Sequence, residues 1–411
     1  MSWEDACRLD EVDPIAAKRE EFHLPESTIY LDGNSLGPLP NKAKQRVAQV
    51  IEEEWGEDLI SSWNKHHWID LPERVGEKIA PLVGAAPGQL TCCDSISVNL
   101  FKLLTAALSM RPGRRVVLSQ QDNFPTDLYI GQGLQSLVGE ARCELKTVAA
   151  DQLEAALDDS VAVLLLTEVN FRDGRKHDIA RLTAQAHAHD ILVIWDLAHS
   201  AGAFPVELDK AGVDFAVGCG YKYLNGGPGA PAFVYVASRH QDSLSQPLSG
   251  WMGHQAPFDF NENYQAADGV TQFQTGTPGI ISMSALDAAL NVFADVDLDQ
   301  LAKKSAALSE LFIQCLSEPQ ADAQLELVSP ASAKERGSHL AYVHPQAFAI
   351  SQALIAEGVI VDFRAPDIIR FGFAPLYIRY RDIWQACRIL HDIILSKRYA
   401  EARFQAREKV T

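Results

Sequence analysis

The stretch Asp214–Gly229, DFAVGCGYKYLNGGPG, carries the residue best suited to covalent chemistry. A short apolar run stops in glycines and delivers Lys222 between Tyr221 and Tyr223, with Gly226, Gly227 and Gly229 close behind. A lysine at the end of an apolar strand, flanked by bulky rings, is poorly solvated, and poor solvation lowers an amine's pKa. Such an amine can form a Schiff base, because only the neutral form attacks a carbonyl. Taken alone, a lysine in a glycine-rich loop is more often plain surface. Upstream, the run Ile191–Trp195 ends in Asp196, and His199 follows three residues later. A strand-end carboxylate calls for a cation, although turn and N-cap aspartates are common. The segment Thr91–Asn99, TCCDSISVN, ends one strand and opens a helix with Asp94, Ser95 and Ser97. Helix-start amides and hydroxyls suit a phosphate, and plain capping explains them equally well. Phe124, in NFPTD, could stack on a planar ring or serve as core.

Each signal is weak by itself; their order is more informative. A phosphate-type helix start, an aromatic ring, a strand-end aspartate with a nearby histidine and a strand-end lysine follow one another. Pyridoxal 5'-phosphate needs that set: an anion cradle, a stacking face, a counter-charge for its ring nitrogen and an amine for its aldehyde.

The elements that must position these groups are short apolar runs alternating with helical stretches. Strands are expected at Leu90–Cys93, Arg115–Leu118, Glu144–Val148, Val161–Leu166, Ile191–Trp195, Asp214–Val217 and Pro231–Val236. Helices are clearest at Val98–Met110, Asp127–Leu137 and Ile179–His189. Continuous apolar strands imply burial on both faces, hence an α/β fold with a mostly parallel central sheet covered by helices. Ligands of such sheets bind beyond the carboxyl ends of the strands. Three parts are expected: an arm and helix over 1–70 that join a small domain, a large α/β domain over 71–280, and a linking helix with a smaller α+β domain over 281–411. Residues 1–40 read as an irregular arm, and Asn41–Trp55 as an amphipathic helix burying Val47, Val50, Ile51 and Trp55. Ile281–Ser317 reads as one long helix or a pair; Val359–Phe363 and Ile368–Phe371 read as strands.

Composition narrows the partners. The 411 residues carry a formal charge of −18, which argues against nucleic acid and anionic membranes. The longest aliphatic run, Val161–Leu166, is too short to cross a bilayer, and Met1–Pro14 is acidic where a secretory leader would be basic. Seven cysteines without ligand spacing suggest reduced thiols in a metal-free cytoplasmic protein.

The stretches WDLAHSAGAFPVEL, GYKYLNGGPGAPAFVYV, PLSGWMGH, NFPTDLY, YLDGNSLGP and RFGFAPLY resemble the signature stretches of the kynureninase family. They run in the family's order from residue 30 to residue 377. The resemblance implies the aspartate-aminotransferase-like fold of pyridoxal-phosphate enzymes. It also implies a homodimer with active sites between subunits, and hydrolysis of L-kynurenine to anthranilate and L-alanine in tryptophan degradation. It assigns Lys222 to the cofactor aldehyde and the α-proton, Asp196 to the ring nitrogen, and Phe124 to stacking. Ser95, the Ile96 backbone and Tyr221 would meet the phosphate, with Tyr221 assisting proton transfer. Asp127, Thr167 and His199 would line the cofactor, and Trp251 and Thr277 would reach it from the partner chain. Arg370 would hold the substrate's α-carboxylate. Trp63, with Gly276 and Thr277, resembles members that prefer kynurenine over its 3-hydroxy derivative. Ile96 and Glu168 depart from the pattern: the first removes a hydroxyl, and the second is expected to add a negative charge near the cofactor. A cysteine desulfurase-like lyase of the same fold and a non-catalytic scaffold are the alternatives.

Overall fold

Seven strands form the sheet that organises the molecule, a computed structural model describing residues 2–317 and 325–406. They are β1 (Leu90–Cys92), β2 (Val116–Gln120), β3 (Glu144–Val148), β4 (Val161–Thr167), β5 (Leu192–Asp196), β6 (Phe215–Cys219) and β7 (Ala232–Val236). Their order across the sheet is β1-β7-β6-β5-β4-β2-β3. All neighbours run parallel except β7, which is antiparallel to both β1 and β6. The apolar runs explain this placement: β4, β5 and β6 are buried at every residue, whereas the edge strand β3 is half-buried throughout. Helices Ile96–Ser109, Pro125–Val138 and Ile179–Ala188 flank the strands. The mostly parallel α/β sheet expected from the apolar runs is therefore present.

Register decides which residues meet. Thr167 pairs with Asp196 across β4 and β5, and Asp196 pairs with Val217 across β5 and β6. The carboxyl ends of the central strands thus lie level, five residues upstream of Lys222 on β6.

A second, antiparallel sheet contains β8 (Glu326–Leu327), β9 (His339–Val343), β10 (Asp362–Arg364) and β11 (Ile368–Gly372), in the order β8-β9-β11-β10. The expected strand Val359–Phe363 is divided. Val359–Ile360 pairs in parallel with Ile29–Tyr30, while Asp362 begins β10. Residues 281–317 form a helix pair, Ile280–Ala289 and Leu298–Leu316. Phe312 of the second helix packs on Phe371 and Phe373, with ring centroids 4.6 and 5.6 Å away.

Two expectations for the N-terminal region need correction. The arm is not irregular throughout, because Trp3–Glu11 is an α-helix closed by a Ser2–Asp5 capping box. It docks on helix Tyr380–Leu395, with Trp3 5.4 Å from Trp384 and the Asp10 carboxylate accepting the Tyr380 amide at 2.6 Å. Nor does Asn41–Trp55 bury the expected face. The α-helix ends at Gln49 and widens into a π-turn over Val50–Trp55. The wider turn breaks the 3.6-residue period, so Val50 is buried while Ile51 and Trp55 are 44 and 57% exposed. Glu54 goes inside instead, paired with Arg46 and accepting the Trp68 indole N–H at 2.6 Å.

Candidate active site

The carboxyl edge of the sheet encloses a cavity of about 170 Å³. Ser95, Ile96, Phe124, Thr167, Asp196, His199, Tyr221 and Lys222 all line it. They come from five element ends. Ser95 caps helix Ile96–Ser109 after β1, and its hydroxyl accepts the Val98 amide at 3.4 Å. Phe124 stands immediately before helix Pro125–Val138. Thr167 and Asp196 end β4 and β5, and Lys222 follows β6 through a glycine turn. The N-terminal arm closes the back of that turn: the Gly37 amide donates to the Tyr221 carbonyl at 2.8 Å. A Cβ on Gly37 would lie 2.4 Å from the Lys222 carbonyl oxygen, so this approach requires glycine.

The Lys222 amine is buried, 3.0 Å from His199 Nε2 and 5.8 Å from the Phe124 ring centroid. Burial pushes its pKa down, and burial pushes the His199 imidazole well down too. The basic groups of the cavity are therefore biased toward neutrality, as imine formation requires. The acids show the opposite bias. Burial raises the Asp196 carboxyl to about 6, and its side chain accepts the Ala198 amide at 2.8 Å. Asp127 is raised further, by burial and then by the charge of Asp196. Asp127 sits beneath the cavity wall, contacted by Thr167 Oγ1 and Asn123 Nδ2, both at 3.3 Å. Its other oxygen has no hydrogen-bond partner among the described residues.

Two buried acids beside an amine biased toward neutrality leave room for a cationic partner. A protonated pyridine ring nitrogen supplies it, Phe124 offers an aromatic face, and the helix start at Ser95 offers free amides for a phosphate. These residues fit pyridoxal 5'-phosphate.

The remaining candidates lie outside this cavity within one chain. Arg370 is buried on β11, where Nε donates to Asp362 at 2.9 Å and Nη2 to Ser35 Oγ at 3.2 Å. Nη1 donates to the Phe171 carbonyl, and the Phe171 ring packs edge-on against Phe124 at 5.2 Å. With Nη2 also on Asp362, four of the five guanidinium N–H groups have acceptors. Trp251 is 39% exposed and packs on Phe258 and Phe260. Gly276 and Thr277 line a separate cavity of about 290 Å³. Trp63 packs against Trp68, 6.0 Å between centroids.

Sequence reasoning did not single out Asn123. Its Oδ1 accepts from both the Thr167 amide, at 3.1 Å, and the Thr167 hydroxyl. Its Nδ2 donates to Ser119 Oγ at 3.2 Å, so one amide ties the ends of β2 and β4 to Asp127. The stretch NFPTD contained the signal, an amide at a strand end. His339 was also missed: it is buried on β9, with its ring 5.3 Å from that of His199.

Glu168 is placed differently from expectation. Being one residue beyond Thr167, it lines a neighbouring cleft with Lys176 and His177 and not the Lys222 cavity. Burial raises its pKa from 4.5 to about 7. A carboxyl raised in the folded state contributes stability that is fully present below pH 4.5 and is lost as pH rises through 7. Replacement by glutamine should remove that slope, raising stability at pH 8 by on the order of 2–3 kcal/mol at most. Thermal unfolding of both proteins from pH 5 to 8 checks this; parallel curves would exclude it.

Comparison with known proteins places these features. The family model "Kynureninase C-terminal domain" matches residues 301–390. Kynureninase of Deinococcus radiodurans is 53% identical over 384 residues, covering 92% of this chain and 93% of that protein. Kynureninase of Pseudomonas fluorescens is 46% identical over 411 residues and covers 99% of each. Among solved structures, a cysteine desulfurase of Thermococcus onnurineus superimposes with a TM-score of 0.77 at 16% identity, over 92% of this chain and 97% of that one. A C-DES variant with glycine covalently linked to its PLP cofactor gives 0.76 at 17% identity, over 90 and 98%. At such identities these structures speak for the fold alone, whereas the relatives decide the family. The chain belongs to the kynureninase family.

Proposed function

We propose that the protein hydrolyses L-kynurenine to anthranilate and L-alanine with pyridoxal 5'-phosphate as cofactor. The observation that carries this reading is the buried Lys222 amine beside His199, in one cavity with Asp196 and Phe124, in a chain nearly half identical to kynureninases along its whole length. When bound, the cofactor supplies the electron sink that stabilises negative charge on the substrate. The chain's own groups do the rest. Lys222 Nζ, biased toward its neutral form by burial, takes the proton from the substrate's Cα, and His199 Nε2 holds the amine in place by its hydrogen bond. Asp196 holds a proton on the ring nitrogen, and Tyr221, whose phenol burial makes less acidic, serves as a proton donor. One water adds across the cleaved Cβ–Cγ bond, its oxygen going to the anthranilate carboxyl group. Anthranilate fluorescence on adding kynurenine to the protein with pyridoxal phosphate tests the assignment; silence across pH 6–9 would overturn it.

Arg370 binds the substrate α-carboxylate in this reading, through the N–H that its own partners leave free. Lysine in its place keeps the charge but has only three donors for Asp362, Ser35, the Phe171 carbonyl and a substrate carboxylate, so Arg370→Lys should raise KM by roughly 10–100-fold with a smaller change in kcat. Steady-state kinetics decide it; an unchanged KM would remove Arg370 from the substrate site.

The working unit is a homodimer, in which Trp251 and Thr277 reach the partner's cofactor, and Trp63, Gly276 and Thr277 shape the substrate ring pocket. An exposed apolar groove beside Gly226–Pro228, with Leu39 and Ile281 on its rim, supports a second copy there. Sedimentation should give twice the chain mass. Tryptophan offers a 3-hydroxyl little to bond with, so kcat/KM should favour kynurenine over 3-hydroxykynurenine. The activity belongs to tryptophan degradation in the cytoplasm; no described helix is long and apolar enough to cross a membrane. Cysteine desulfurase chemistry needs an accessible thiol, but Cys315 and Cys387 are buried within helices.

A further inference from the structure

Lys102 is fully buried in helix Ile96–Ser109, yet it does not line the Lys222 cavity. Its ammonium meets the Asp94 carboxylate, the Phe273 carbonyl, Asn99 Oδ1 at 3.1 Å and Cys93 Sγ at 3.7 Å. The first three use all of an ammonium's donors, and they come from three segments. A buried ion pair is weak support for stability, since apolar packing usually does as well. Its value here lies in what it holds. Asp94 has a φ of +50°, a left-handed conformation that aspartate tolerates better than most residues and that its partners here help to hold. The Asp94 carboxylate also accepts the Thr275 hydroxyl, at 3.1 and 3.2 Å, while its carbonyl accepts the Ala232 amide at 2.9 Å. Beyond Asp94 on one side, Ser95 and Ile96 form the phosphate end of the cofactor cavity. On the other side, Thr275 borders the second cavity together with Gly276 and Thr277.

We infer that Lys102 is a positioning residue for the phosphate-binding turn: through Asp94 it fixes Ser95 and Ile96 against the cofactor's phosphate and holds the Thr275–Thr277 segment alongside. This rests on the pyridoxal-phosphate reading given above. The phosphate-end turn and the segment bordering the second cavity therefore share one buried cation.

The test titrates full-length, cofactor-stripped protein with pyridoxal phosphate and, separately, with pyridoxal, which lacks the phosphate. Tryptophan fluorescence and the imine absorbance report binding. Lys102→Met should weaken pyridoxal phosphate by about tenfold or more while changing pyridoxal by less than about twofold. Asp94→Asn, which keeps the shape and loses the charge, should act in the same direction by about threefold. Equal weakening of both ligands would show a general structural role and overturn the inference, as would an unchanged affinity for pyridoxal phosphate. If the methionine variant does not fold, the asparagine variant decides by the same two criteria. A wild-type protein that fails to bind pyridoxal phosphate overturns the function and the inference together. Normal wild-type binding with an unchanged ratio in the variants overturns the inference alone.

Discussion

Lys222→Ala should show no measurable turnover, a fall in kcat of at least about 10⁴-fold, because one amine serves as both covalent anchor and proton carrier. The reason lies in burial. Among the described residues, no second lysine lines the cavity. The variant should also lose the imine absorbance and resist labelling by borohydride, while far-ultraviolet circular dichroism stays unchanged. Structure should survive, since among the described residues the amine's side-chain hydrogen bond is to His199, and burial already disfavours its charged form. Turnover near the wild-type rate would refute the role of Lys222.

Asp196→Asn should lower kcat by roughly 10²–10³-fold, with a smaller effect on KM. Asparagine preserves the shape of the side chain and the acceptor for the Ala198 amide, but it cannot hold a proton on a ring nitrogen. The pH dependence of cofactor binding makes a second measurement. Burial raises the Asp196 carboxyl to about 6. Above that value it is a carboxylate ready for a cation; below it, binding a cationic ring must first expel a proton. Affinity for pyridoxal phosphate should therefore weaken as pH falls through about 6, and the asparagine variant should lack that component. A variant with wild-type kcat would mean that the ring nitrogen needs no counter-charge in this site.

The central sheet was legible because its signal is local. Runs such as Val161–Leu166 are apolar without interruption, and a strand buried on both faces needs no more than that. Strand ends were legible for the same reason, so Asp196 and Lys222 could each be placed at the ligand-binding edge before any pairing was known. What escaped depends on long-range contact. The π-turn at Val50–Trp55 follows from Glu54 finding Arg46 and Trp68, and no period in the sequence announces it. The helix Trp3–Glu11 is short and polar, and it gains its support from a helix nearly 380 residues away. Asn123 and His339 were hidden because an amide or imidazole becomes informative only once its partners are known. Glu168 was misread because alternation along a strand end turns adjacent side chains to different sides. Trp63, Trp251, Gly276 and Thr277 are grouped by the family resemblance, and within one chain they lie apart from the Lys222 cavity.

The loop containing Ser35 and Gly37 touches both the Arg370 guanidinium and the backbone beside Lys222. A chain leaving the ribosome makes this loop early, the lysine midway and Arg370 near the end. Until the last strand of the second sheet is in place, the loop has nothing to close against on that side. A nascent chain stalled before residue 370 would therefore present the lysine without the guanidinium that this loop closes against.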